Sequence, residues 1–262
     1  MLITAAAMFL LVYPLIEGRQ DGWPWWTFAL LAAGAAGIGI FARHERRGAA
    51  PLIEPALLRR RTYLAGAAVA VAFFAASAGI MLVLSLYVQY GLGYTALGAG
   101  LVITPVAAGN VIGALAAMGL ASRIGGRATI QVSLAVAVAG LASIAFLGSA
   151  LGSAPSGLAL AGPALALGLG LGGVIAPLFS TILAGITPAE TGSAAGSLGA
   201  IQQLAGSVGV ATIATLYAAT SHPAARGLVI TALAAVGLLA AGAALTLLLP
   251  AARGTGGPPE GS

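Results

Sequence analysis

Few side chains in this sequence can do chemistry, and they are scattered. The carboxylates are Glu17, Asp21, Glu45, Glu54, Glu190 and Glu260, the imidazoles are His44 and His222, every basic residue is Arg, and Cys is absent. Without thiols there are no disulfides, iron–sulfur clusters or thiolate zinc sites. More informative are three amides set inside long apolar runs: Asn110, Gln202 and Gln203. Such an amide needs a partner or a wet cavity, because an unsatisfied polar group in hydrocarbon costs several kcal/mol. Two readings compete. One is interhelical hydrogen bonding, worth about 0.6–2 kcal/mol per bond; the other is the lining of a polar path. Gln203 shares a helix face with Ser207, and Gln202 shares another with Gly206 and Gly209. The glycine face is expected to pack, which leaves Gln203 as the better cavity candidate. Phe73, Ser77, Met81 and Ser85 form a second stripe at four-residue spacing. Aromatic, hydroxyl and thioether groups together suit a promiscuous site for apolar or cationic compounds, and ordinary helix contact is the competing reading.

The elements that must hold these residues follow from composition. Of the residues, 60% are hydrophobic and only 6% charged, whereas a water-facing domain carries about 25% charged residues. Lipid must therefore cover most of the surface. The apolar blocks have spanning length and fall at roughly 1–16, 25–42, 63–87, 97–119, 128–149, 157–183, 193–218 and 228–250. Nothing alternates with period two for long, and the blocks are apolar on all sides, so strands and barrels are excluded. The fold class predicted is an all-α integral membrane protein of about eight transmembrane helices. The Gly/Pro-rich end, residues 251–262, reads as a disordered tail.

Arginine placement sets the orientation. If the spans alternate, Arg43, Arg46, Arg47, Arg59, Arg60, Arg61, Arg123, Arg127 and Arg253 fall on one side, and only Arg19 and Arg226 on the other. The positive-inside rule makes the first side cytoplasmic, in a plasma membrane. The cluster Arg59-Arg60-Arg61 stands directly before a span, so it reads as a topology anchor in preference to a nucleic-acid or acidic-lipid site. His44 and His222 then lie on opposite sides, and no Ser, His and acid share one depth. No enzyme, cofactor, metal or nucleic-acid partner is expected. Met1 opens straight into apolar residues without a basic region, unlike a signal peptide, and the first span is short. The expectation is a chain whose beginning is missing.

Small-residue motifs, Gly109-x-x-x-Gly113, Gly168-x-x-x-Gly172 and Gly192-x-x-x-Gly196, allow close helix approach in lipid without naming a pair. Gly168, Gly170 and Gly173 match a dinucleotide fingerprint, but that motif needs a strand and a βαβ unit, so it is rejected. Pro105, Pro163 and Pro177 lie inside spans, as kinks or hinges. Beside Pro177, the hydroxyls of Ser180 and Thr181 are expected to satisfy freed carbonyls.

Several stretches in order resemble the second half of the fourteen-span drug:proton antiporter branch of the major facilitator superfamily. They are Glu17 to Trp23; Pro51-Leu52-Ile53-Glu54 with Leu57-Leu58-Arg59 and Thr62-Tyr63; Leu86 to Gln89 with Leu92-Gly93-Tyr94, Gly98, Gly100-Leu101 and Pro105; Ser122 to Arg127; and Gln203 to Ala211. The resemblance implies that residues 1–42 are two extra linking helices and 43–62 a cytoplasmic linker. It also makes residues 63–250 a six-helix C-terminal bundle of two inverted three-helix repeats. Arg123, Gly125, Gly126 and Arg127 would form a cytoplasmic gating loop, although Ser122 stands where the family prefers Asp. The resemblance implies proton-coupled export of hydrophobic, including cationic, small molecules. The coupling carboxylates would lie in an absent N-terminal bundle, since all six acids here fall in loops or the tail. Partners would then be that bundle, or a second half-transporter. The rival readings are a non-transporting membrane interaction protein or remnant, and a channel-like homodimer.

Overall fold

The computed structural model describes residues 24–26, 28–30, 32–33, 60–150, 157–184 and 186–249. The expected span 1–16, the hairpin 17–22, most of the linker 43–62, the break at 152–155 and the tail 251–262 lie outside the described residues. The chain divides into two units, Met1–Pro55 and Ala56–Ser262. In the first, residues 25, 26, 28–30, 32 and 33 are helical, within the expected span 25–42, and Trp25 and Phe28 are exposed.

The second unit holds six long helices and, among the described residues, no strand. They are α1 (Arg61–Leu86), α2 (Ala96–Ile124), α3 (Gly126–Ala150), α4 (Gly157–Leu183), α5 (Pro188–Thr220) and α6 (Ala224–Leu245). One π turn, Tyr87–Gly91, continues α1, and one 3-10 turn, Thr246–Leu248, ends α6. All six are long and apolar enough to cross a membrane, as about 1.5 Å of rise per residue over a core about 30 Å thick requires. Each coincides with one of the last six spans read from the sequence.

Two expected breaks are far shorter than predicted. The 122–127 loop shrinks to Gly125, which closes α2 at φ +85° while its carbonyl accepts the Thr129 N–H that opens α3. The 187–190 break likewise folds into α5. Thr187 and Glu190 form a capping box there, with Pro188 in the first turn, so the donors that start the helix have partners.

The packing pattern repeats with α1, α2 and α3 exchanged for α4, α5 and α6. Thus α4 packs on α2 and α3, as α1 packs on α5 and α6, and α3 meets α6. Helices alternate in direction, so the two triplets run oppositely. Tyr87, Phe73, Ile130, Leu141, Leu167 and Leu198 fill the shared core.

Glycine decides how close the helices come. A Cβ at Gly109 or Gly113 would overlap the carbonyls of Leu165 and Leu169 on α4; one at Gly168 or Gly172 would overlap those of Val106 and Asn110 on α2. Both motifs therefore face each other in one seam, the pair the sequence alone left unnamed. Gly170 and Gly173 meet Ala137 and Ser133 of α3 instead, so the rejected dinucleotide match is a packing surface. By contrast, Gly192 and Gly196 have nothing within 4 Å. Gly172→Leu is expected to lower stability in detergent by at least about 1–3 kcal/mol, the usual range for overpacking. Gly196→Leu should stay within about 0.5 kcal/mol. Thermal unfolding of the two variants checks this, and a larger loss for Gly196→Leu would contradict the seam.

Candidate functional site

Two helices are left largely bare. Within their membrane windows only 22% of α2 and 22% of α5 is buried, against 56% for α1 and 50% for α4. The bare helices carry the three mid-span amides. Asn110 sits half-buried at the middle of α2; near the middle of α5, Gln202 is half-buried and Gln203 exposed. None of the three side-chain amides makes a hydrogen bond among the described residues, and the Ser207 hydroxyl turns back to the Gln203 carbonyl at 2.9 Å. Gly209 lies against the Ala75 carbonyl and Gly206 beside Ala78, so α5 packs on α1 through its glycine face. Gln202 and Gln203 share α5, but α2 and α5 do not pack on one another. The structure therefore does not bring Asn110 to the two glutamines.

The α1 stripe divides. Phe73 is 2% exposed and meets Phe74 edge-on, with ring centroids 5.0 Å apart, so its ring belongs to the core and faces no open surface of this bundle. Ser77 and Met81 are half-buried. The Ser77 hydroxyl donates to the Phe74 carbonyl at 3.3 Å, and the Gln89 amide donates to Ser85 Oγ at 2.8 Å.

The arginine-bearing end is fastened by polar contacts. Arg60 reaches both carboxylate oxygens of Glu190, at 3.2 and 3.1 Å, tying the start of α1 to the start of α5. Glu190 also accepts from the Thr187 N–H at 3.1 Å and its hydroxyl at 2.9 Å. One turn further in, Tyr63 and Ser197 share a buried hydrogen bond. Across the bundle, Arg127 donates to the Leu249 carbonyl at 3.4 Å and Gln131 to Thr246 Oγ1 at 3.0 Å, binding α3 to the end of α6. Arg123 points to the exterior, and Gly126 leaves room for Thr181 Oγ1 of α4. The residues from Gly125 to Arg127 thus gather the ends of α2, α4 and α6 around one glycine hinge.

The sequence reading took Arg60 for a topology anchor alone and missed its ion pair. The signal present was Thr187-Pro188-Ala189-Glu190, a capping-box spacing. At Tyr87 a buried hydroxyl finds no partner among the described residues, which no sequence signal announced. Helices α2 and α4 run on through Pro105, Pro163 and Pro177. The expectation for Pro177 needs correcting. Ser180 Oγ donates to Pro177's own carbonyl at 3.0 Å, whereas the carbonyl freed by the missing N–H is that of Gly173, one turn earlier.

Six helices of spanning length in two oppositely running triplets are an arrangement found in secondary transporters. The sequence model of the Major Facilitator Superfamily matches residues 4–210, and the chain belongs to that family. It is 41% identical to a "Probable actinorhodin transporter" of Streptomyces coelicolor, over 83% of this chain and 38% of that one. It is 30% identical to the "Multidrug resistance protein Stp" of Mycobacterium tuberculosis, over 83% and 40%. With the "Tetracenomycin C resistance and export protein" of Streptomyces glaucescens it shares 28%, over 82% and 40%. The chain spans about two fifths of the length of these curated relatives.

Two substitutions probe the fastened end. Gly125 has φ +85° and ψ 156°, a region essentially restricted to glycine, so Gly125→Ala should cost about 1–3 kcal/mol in thermal unfolding. Glu190→Gln keeps the cap and loses the ion pair, and should lower the unfolding temperature only slightly. Glu190→Ala loses both and should lower it further. Equal losses for the two Glu190 variants would mean that the cap contributes nothing.

Proposed function

We propose that this chain supplies the C-terminal half of a proton-driven exporter of hydrophobic, including cationic, small molecules. The reading places it in the plasma membrane, with the arginine-rich helix ends in the cytoplasm. The three unpaired amides on the bare helices carry this reading. Buried in lipid, each would cost several kcal/mol; facing a watery path or a second bundle, each is satisfied. The open glycines Gly192, Gly196 and Gly199 on α5 add support, since small residues admit a close helix neighbour. The relatives' named roles in transport, drug resistance and export point the same way.

In this reading α2 and α5 meet a second bundle, either an N-terminal one or that of a second copy. Gln203, Asn110 and Gln202 line the path, with Ser77 and Met81 contributing from α1 and Phe73 bracing the wall from the core. Arg123 and Arg127, hinged at Gly125, frame the cytoplasmic mouth. Proton coupling belongs to the partner bundle, because Glu190, the one carboxylate among the described residues, sits at a helix end and is engaged by Arg60. The chain catalyses no reaction in this account.

The chain has no Cys, so single cysteines report solvent access directly. Gln203→Cys and Asn110→Cys should react with a hydrophilic maleimide in membranes, and Leu233→Cys on the exposed face of α6 should not. Dye efflux from vesicles holding the chain with its partner bundle should follow the proton gradient. Unreactive cysteines at 203 and 110 would refute the path, and efflux indifferent to the gradient would refute the coupling.

A further inference from the structure

At the end of the bundle away from Arg123 and Arg127 lies an open groove of about 360 Å³, lined by Ser149, Ala225, Arg226, Val229 and Ile230. It follows the seam between the last turn of α3 and the first two turns of α6. Its chemistry changes with depth. Arg226, in the first turn of α6, stands at the membrane surface, and Val229 and Ile230 lie one turn deeper. Below them the apolar track continues along both helices, through Phe146, 67% exposed on α3, and Leu233, 63% exposed on α6. Both sit one turn from a groove residue on the same helix face.

Among the described residues the cation in this groove has no counter-ion. Arg226 makes no ion pair among the described residues, and the one described carboxylate, Glu190, is held by Arg60 at the opposite end of the bundle. Ser149 is already committed, its hydroxyl donating to the Phe146 carbonyl at 2.8 Å. One surface guanidinium above a continuous apolar trough matches an amphiphile with an anionic head and an alkyl tail. Guanidinium binds phosphate oxygens in a fork. The seam is also placed for lipid. Helices α3 and α6 pack on one another, while the bare faces that a second bundle would cover lie on α2 and α5.

We propose that the α3–α6 seam binds one anionic phospholipid. Its phosphate lies on Arg226, and one acyl chain runs over Val229, Ile230 and Leu233. The site holds whether or not the chain moves a substrate, since it uses none of the residues assigned to the path.

The full chain, purified in a neutral detergent, is titrated with phosphatidylglycerol or phosphatidylcholine and the bound lipid counted by native mass spectrometry. Wild type should retain one phosphatidylglycerol with a preference of about fivefold, the scale of one arginine beside anionic lipid. Arg226→Gln should bring the two lipids to parity, and Arg226→Lys should keep part of the preference. Ile230→Trp, which fills the trough, should lower occupancy by both. Glycerol phosphate, the head group alone, should not displace the lipid. Equal binding of the two lipids by wild type would overturn the proposal, as would an unchanged preference in Arg226→Gln. Displacement by glycerol phosphate at the concentration of the lipid itself would show an anion site in place of a lipid site.

Discussion

Between helices already in a bilayer, the surrounding lipid is as apolar as the helices themselves, so the hydrophobic effect does not press them together. What holds this bundle is contact at backbone distance, and glycine alone permits it. In the α2–α4 seam four glycines from two helices fit against carbonyls of the opposite helix, replacing side-chain interdigitation with direct dispersion contact. Gly140 and Gly170 do the same between α3 and α4, and Gly209 does so against Ala75 between α5 and α1. Helix α4 therefore stands at the centre, pressed by glycines on two faces. It accommodates Pro163 and Pro177 because its neighbours fix its course.

The repeat symmetry gives the same constraint a second consequence. Because α4 relates to α1 as α2 does to α5, each triplet lends one helix to the other's core and leaves one helix bare. The bare helices are those with polar atoms in mid-membrane. If Asn110, Gln202 and Gln203 served as glue within this bundle, their amides would be bonded to neighbouring helices. The side chains that bond from one helix to another, Tyr63 to Ser197 and Gln131 to Thr246, stand at the arginine-bearing end, and at the other end Tyr94, in the turn before α2, accepts from the Gly157 N–H. Polar fastening at that end and unspent polarity at mid-depth are separate features of one bundle.

How much of this was legible in the sequence depends on the range of the interaction. Span number and position in the second unit came directly from the apolar blocks, because membrane solvation acts on each segment independently. Boundaries were less legible. The polar run around Arg123 and Arg127 reads as a loop, yet Gly125 alone suffices for the reversal, since one residue at positive φ ends a helix while its carbonyl begins the next. Pairings were not legible at all. The motif at Gly192 and Gly196 has the same spacing as that at Gly109 and Gly113, and only the fold separates the exposed one from the enclosed one. Phe73 shows the same limit: four-residue spacing placed it on a stripe with Ser77 and Met81, but the turn of α1 carries its ring into the core.

Glu190 shows how these ranges meet in one residue. Its spacing from Thr187 is local and makes a helix start; its pairing with Arg60 is long-range and joins the first helix of one triplet to the middle helix of the other. At a helix end the carboxylate faces the membrane surface, where it remains ionised beside a guanidinium and needs no proton to be stable. A carboxylate at mid-depth would instead be costly when ionised, and that cost is what lets such a group take up and release protons in transport. The described part of this chain has amides at that depth and no acid. An amide holds its polarity at every pH, so it can orient a passing molecule or a water without exchanging a proton. The physical division follows from where charge is tolerated: among the described residues charge fastens the helix ends, and at mid-depth there is polarity without charge.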